Sequence, residues 1–118
     1  MTKTEQIWND RRIRDFEKIR EAKMLMNEHK TMNVPVELLV KNWRGEHMEA
    51  VVAWYNYKNF LSKTKMKKMV DFEDETKLRL LKQAFEAELA DVANMCYLTY
   101  LGLNGYRELE ENKDGKIQ

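Results

Sequence analysis

Apolar positions recur at helical spacing along most of the chain. Ile7, Ile13, Phe16, Ile19, Ala22 and Met26 fall at intervals that fit one helical face, with Arg11, Arg12, Arg14, Asp15, Lys18 and Glu21 on the other, solvated face. This predicts a first helix over 4–30, and Thr2 and Glu5 have capping-box spacing at its start. Residues 29–33 read as a connection in which Asn33 offers an N-cap, and Pro35 is tolerated in the following first turn. A second helix is predicted over 34–61, with Gly45 as a kink or break, followed by a mobile basic stretch or frayed helix end over 58–70. A third helix begins near Asp71, where Asp71 and Asp74 again have capping spacing and Glu73, Asp74 and Glu75 face the positive end of the helix dipole. Leu78, Leu81, Phe85, Leu89, Val92 and Cys96 give it the strongest periodic signal in the chain, and Gly102 and Gly105 mark its end. A short helix is expected at 106–111. No strand and no internal repeat stands out. The expected fold is all-α: a helical bundle of three to four long helices, completed by oligomerisation, in a single domain over 1–112 with a disordered tail over 113–118.

Composition narrows what such a bundle does. The 118 residues are 43% hydrophobic and 35% charged, which fits a few long helices with strongly charged surfaces. Eight methionines are read as core and interface filler. With 21 basic and 20 acidic side chains the net charge is +1, which disfavours nucleic-acid binding or membrane attachment driven by overall charge. The charged N-terminus is unlike a secretory signal, and no apolar run approaches the ~20 residues that span a bilayer. A single cysteine, Cys96, forms neither an internal disulfide nor a zinc site and reads as a structural residue; the expected setting is the reducing cytoplasm.

Acidic pairs standing three residues apart include Glu46/Glu49, Asp71/Asp74, Glu88/Asp91 and Glu108/Glu111. Spacing alone does not separate them, because a chain this acidic contains such pairs by chance. Asp71/Asp74 is accounted for by capping and Glu108/Glu111 by a polar terminal stretch. Glu88 and Asp91 interrupt the otherwise apolar row Leu81, Ala84, Met95, Leu98, and a carboxylate drawn into such a row must neutralise, pair or bind a cation. The plain alternative is a boundary row paired with Arg or Lys of the first helix. Glu46 and Glu49 lie similarly among Met48, Val51, Val52, Ala53 and Trp54. Antiparallel helices bringing both pairs together would present a set of hard oxygen ligands suited to Mg²⁺ or Mn²⁺. Neither His29 nor His47 has a Glu three positions before it, which disfavours diiron chemistry.

The segment Gly45-Glu46-His47-Met48-Glu49-Ala50, followed by Trp54 and Lys58, resembles the first signature of the MazG-like nucleotide pyrophosphohydrolases, a Glu-x-x-Glu on a helix. Residues 86–104, from Glu86-Ala87-Glu88-Leu89-Ala90-Asp91-Val92 to Leu101-Gly102-Leu103-Asn104, resemble the second, a Glu-x-x-Asp leading into an apolar helix. Ala87 stands where the family usually has another Glu, and the interval between Glu49 and Glu88 is longer than usual. The resemblance implies that Glu46, Glu49, Glu88 and Asp91 hold Mg²⁺ (or Mn²⁺) and carry catalysis. A nucleoside triphosphate would be cleaved to the monophosphate and pyrophosphate by a helical homo-oligomer. Trp54, with Trp43 and Tyr57 as further aromatics, would face the base. Lys58, Lys65 and Lys68, with Lys63 and Lys67, would meet the phosphates. The competing expectation is a small non-catalytic helical interaction protein, a virus-type inhibitor or adaptor that covers a partner protein's surface.

Overall fold

The computed structural model describes residues 1–26 and 34–105. The connection expected at 29–33, the short helix at 106–111 and the tail lie outside the described residues. Within them are four helices and no strand: α1 (Lys3–Trp8), α2 (Arg11–Met26), α3 (Val36–Lys65) and α4 (Phe72–Leu103). None of these helices is long and apolar enough to cross a membrane.

The first predicted helix is two helices. Thr2 caps α1, its hydroxyl accepting from the Glu5 backbone N–H at 3.1 Å. The chain then breaks at Asn9 and Asp10, because short polar side chains offer the backbone local partners that compete with helix continuation. Asp10 Oδ1 accepts from the Arg12 backbone N–H at 2.8 Å, and the Arg12 guanidinium grips both carboxylate oxygens at 3.0 and 2.8 Å. Those bonds pull the Asp10 carboxyl down to about 2. The cationic residues expected in solvent on α2 are exposed.

Pro35 precedes the first turn of α3 rather than lying in it, and α3 runs unbroken through Gly45, where an added Cβ would meet nothing within 4 Å. The helix also extends to Lys65, so the turn is 66–71 and not the wider stretch predicted over 58–70. The capping at Asp71 is as expected. Asp71 Oδ1 accepts from the Asp74 N–H at 2.8 Å, and the Asp74 side chain reaches back to the Asp71 N–H at 3.4 Å. Lys67, from the turn, adds 2.8 Å bonds to both Asp74 oxygens. So short a turn leaves α3 and α4 antiparallel neighbours.

Helix α4 is the shared element, packed along α3 on one side and against α2 on another. The burial is thin. Among the described residues the buried apolar side chains are Leu39, Ala50 and Ala90, and no large side chain is fully buried. A Cβ on Gly102 would collide with Leu39 Cδ1, so the glycine lets the start of α3 approach the end of α4. The predicted stripe of α4 is half-buried at Leu78, Leu81, Phe85 and Val92, while Leu89 and Cys96 are exposed. Met48, Met66 and Met69 lie in the open rather than in a core. The radius of gyration is 18.9 Å, against about 13.5 Å for a compact chain of this length.

Candidate functional site

The hairpin has a simple register. Glu49 stands sixteen residues before the last residue of α3, and Glu88 sixteen after the first residue of α4; Glu46 and Asp91 stand nineteen from the same ends. Residues equidistant from an antiparallel turn face one another, and spacing by three keeps each pair on one side of its helix. The two acidic pairs therefore face one another, and three of the four carboxylates converge. Carboxylate oxygens of Glu46, Glu49 and Glu88 all lie within 4.8 Å of one another.

The environment of these groups is unfavourable to charge. Glu46 and Glu88 are half-buried, and Glu49 is exposed at the edge. Glu46 Oε2 and Glu88 Oε2 are shut off from solvent and accept no hydrogen bond; the other buried side-chain oxygen so placed among the described residues is Thr99 Oγ1. Burial pushes the Glu46 carboxyl up to about 7, helped by the charges of Glu49, Asp91 and Glu88 and by a hydrogen bond with Glu49. Burial likewise raises Glu88, with Glu49 and Asp91 adding to the shift and Lys23 opposing it. Two carboxyl groups share a hydrogen bond only when one keeps its proton, so the cluster is short of positive charge.

Asp91 differs from its neighbours. Its Oδ2 lies 3.3 Å from Lys23 Nζ of α2, both side chains being largely covered. The pairing with a first-helix cation weighed as the plain alternative therefore holds for Asp91, while the buried oxygens of Glu46 and Glu88 stay unpaired. Lys23 was not anticipated from the sequence. Its signal was available: Arg20 and Lys23 are three apart on α2, matching Asp91 and Asn94 on α4 in reverse order. Arg20 Nη1 donates to Asn94 Oδ1 at 3.2 Å, and Asn94 Nδ2 donates back to the Arg20 carbonyl at 2.9 Å.

The seam between α3 and α4 opens on two concavities. One, of about 430 Å³, is lined by Met48, Glu49, Val52, Ala53, Asn56 and Glu88 and adjoins the carboxylates. The other, of about 420 Å³, is apolar and lined by His47, Ala50, Val51, Trp54, Phe85, Leu89 and Val92. Trp54 lies in this second groove, its ring 5.4 Å from that of Phe85 and 6.2 Å from that of Tyr57. Trp43 stacks on His47 at 6.3 Å.

The expected phosphate contacts are dispersed. Lys58 Nζ lies 5.8 Å from the ring centre of Tyr55. Lys65 ends α3, sixteen residues from Glu49, or about 24 Å along the helix axis, and Lys68 lies in the turn beyond it.

A carboxylate set of this kind has the donor chemistry for a hard divalent cation, and the two unpartnered buried oxygens are the groups such an ion would satisfy. Comparison with protein-family models, with curated proteins and with solved structures found no match for this chain.

Proposed function

We propose that the chain is a Mg²⁺-dependent nucleoside triphosphate pyrophosphohydrolase of MazG-like type. The observation that carries the reading is the convergence of Glu46, Glu49 and Glu88, with two buried carboxylate oxygens left without a partner. An unpaired buried acceptor costs about 1–3 kcal/mol, and more when charged.

Glu46, Glu49, Glu88 and Asp91 would hold Mg²⁺ or Mn²⁺, which would supply charge neutralisation at the phosphates and activation of a water. A carboxylate oxygen of this set that the cation leaves unoccupied would orient that water and accept its proton. Trp54 and the groove around it offer an apolar surface of the kind that takes a nucleobase. Lys65 and Lys68 play no part in this reading, because of their distance along the hairpin. The thin core favours a homo-oligomer, in which the open apolar faces of α3 and α4 are covered by a second copy, and the lone cysteine favours a reducing cytoplasm.

The test is pyrophosphate release from a panel of nucleoside triphosphates with Mg²⁺ or Mn²⁺, beside Glu88→Gln. Metal-dependent turnover lost in the variant is the expected result. A folded protein without turnover on any triphosphate would overturn the reading.

One observation favours a second reading, that of a non-catalytic helical protein covering a partner. Trp43, Met48, Val52, Trp54 and Tyr55 are all exposed along a single helix, apolar side chains that a partner surface would cover. Sedimentation separates the readings: self-association covers this surface in the enzyme, whereas a monomer that stays open fits the adaptor.

A further inference from the structure

The turn between α3 and α4 carries the most exposed apolar side chains of the hairpin. Met66, Met69 and Phe72 are 87%, 83% and 80% exposed, and among the described residues only Met1, at the chain's start, is comparable. The turn does not need these side chains for its shape. That is set by the capping box of Asp71 and Asp74 and by the two Lys67 bonds to Asp74. It closes the end of a helical pair with arms of about 45 Å, whereas the bonds that anchor α2 lie far down α4, at Asp91 and Asn94. The tip therefore stands clear of the other described helices.

Charge is distributed to match. Between Glu49 and Asp71 stand five lysines and no acid. Over residues 50–85 eight basic side chains outnumber four acidic ones, and two of those acids, Asp71 and Asp74, are engaged in the cap. The rest of the chain is net acidic, so the near-neutral total hides a basic distal half. Exposed apolar side chains flanked by lysines on a convex tip suit one kind of surface. A protein partner would have to supply a matching cavity. The interface of an anionic bilayer yields to unbranched and aromatic side chains and presents negative headgroups to the lysines beside them.

We propose that the hairpin tip is a membrane-surface contact: Met66, Met69 and Phe72 enter the headgroup–acyl boundary of an anionic bilayer, and Lys63, Lys65 and Lys68 meet its headgroups. The lysine stems lie along the apolar surface and keep their ammonium groups at headgroup level. Attachment through so small a tip is weak and reversible, and no helix has to cross. The inference does not depend on the nucleotide reading, because the carboxylates lie four helical turns away.

Flotation of the full chain with vesicles tests it, using phosphatidylcholine alone and with about 30% phosphatidylserine. The wild type is expected to float with the anionic vesicles and several-fold less with the neutral ones. Met66→Ser, Met69→Ser and Phe72→Ser together should weaken partitioning at least about tenfold, with helix content by circular dichroism unchanged. Lys65→Gln with Lys68→Gln should lower binding to the anionic vesicles several-fold and shrink the difference between the two compositions. Tyr100→Ser with Leu103→Ser, a similarly exposed pair at the far end of α4, should stay within about twofold of the wild type. A wild type that floats with neither vesicle would overturn the proposal. So would an equal loss in the Tyr100/Leu103 variant, which would trace binding to general stickiness. A loss confined to the lysine variant, with the Met/Phe variant unaffected, would also overturn it by reducing the tip to a polyanion contact.

Discussion

At its N-terminus α4 carries Asp71 and Asp74, and fourteen residues beyond Asp74 it carries Glu88, with Asp91 a turn further. The two pairs have the same spacing on the same helix. Asp71 and Asp74 close a capping box, Lys67 binds both oxygens of Asp74, and these bonds hold the Asp74 carboxyl below its usual range. Glu88 has a buried oxygen with no partner and is pushed above its usual range, chiefly by that burial. The first pair holds the helix end in place. The second works against folding until something neutralises it. Identical spacing thus carries opposite chemistry, and the difference lies in what the turn and the facing helix bring to each pair.

Variants and ligands can break or sharpen this contrast. The largest effect is expected from Glu88→Gln combined with Asp91→Asn, which should lower divalent-ion affinity and triphosphate turnover at least ~100-fold while helix content by circular dichroism is unchanged. The same changes at Asp71 and Asp74 should leave turnover intact and lower Tm. Equal effects from both double variants would erase the distinction. Next in size, Mg²⁺ at a hundredfold excess over its Kd should stabilise the wild type by about 2.7 kcal/mol and leave the Glu88/Asp91 variant unmoved, as read by thermal melts. Asp71→Ala should cost about 1 kcal/mol through the lost cap, with or without Mg²⁺.

The pH dependence without metal should be smaller and two-sided. Glu46 titrates near 7 in the folded chain and near 4.5 when unfolded, so the folded state holds the extra proton between those values. Its contribution is therefore present below about 4.5 and is lost as pH rises towards 7, so Tm falls across that window. Asp74 is shifted the other way, so its contribution is present above the unfolded value of 3.8 and is lost as pH falls through the lower folded value. Glu46→Gln should flatten the upper limb alone, and Asp74→Asn the lower. The smallest effect is expected from Lys65→Gln with Lys68→Gln, less than about twofold on turnover, since the separation exceeds the screening length.

How much of this was visible beforehand differs from element to element. Helix type and the capping at Asp71 follow from local pattern, and they agree with the structure. The meeting of Glu46 and Glu49 with Glu88 and Asp91 depends on where the turn lies. A turn drawn over 58–70 leaves the register open, whereas one at 66–71 makes the two arms equal. That boundary was misread because a lysine-rich sequence with a β-branched Thr64 looks like a loop. In the structure Thr64 is buried, its hydroxyl bonded to the Leu61 carbonyl at 2.8 Å. The break at Asn9 and Asp10 was hidden by apolar periodicity that continues across it. Lys23 was missed for another reason: amphipathic pattern tells which face of α2 is apolar, not which helix it packs on.

The thinness of the core has a calorimetric consequence. Exposure of apolar surface on unfolding is what raises heat capacity, and a fully packed chain of this length gives roughly 1.5 kcal/mol/K. With Leu39, Ala50 and Ala90 as the buried apolar side chains among the described residues, an isolated copy should unfold with a much smaller increment and a shallow denaturant slope. Its stability curve would be broad and low, with little curvature between cold and heat. A full-sized increment that depends on protein concentration would instead count the surface that a second copy hides.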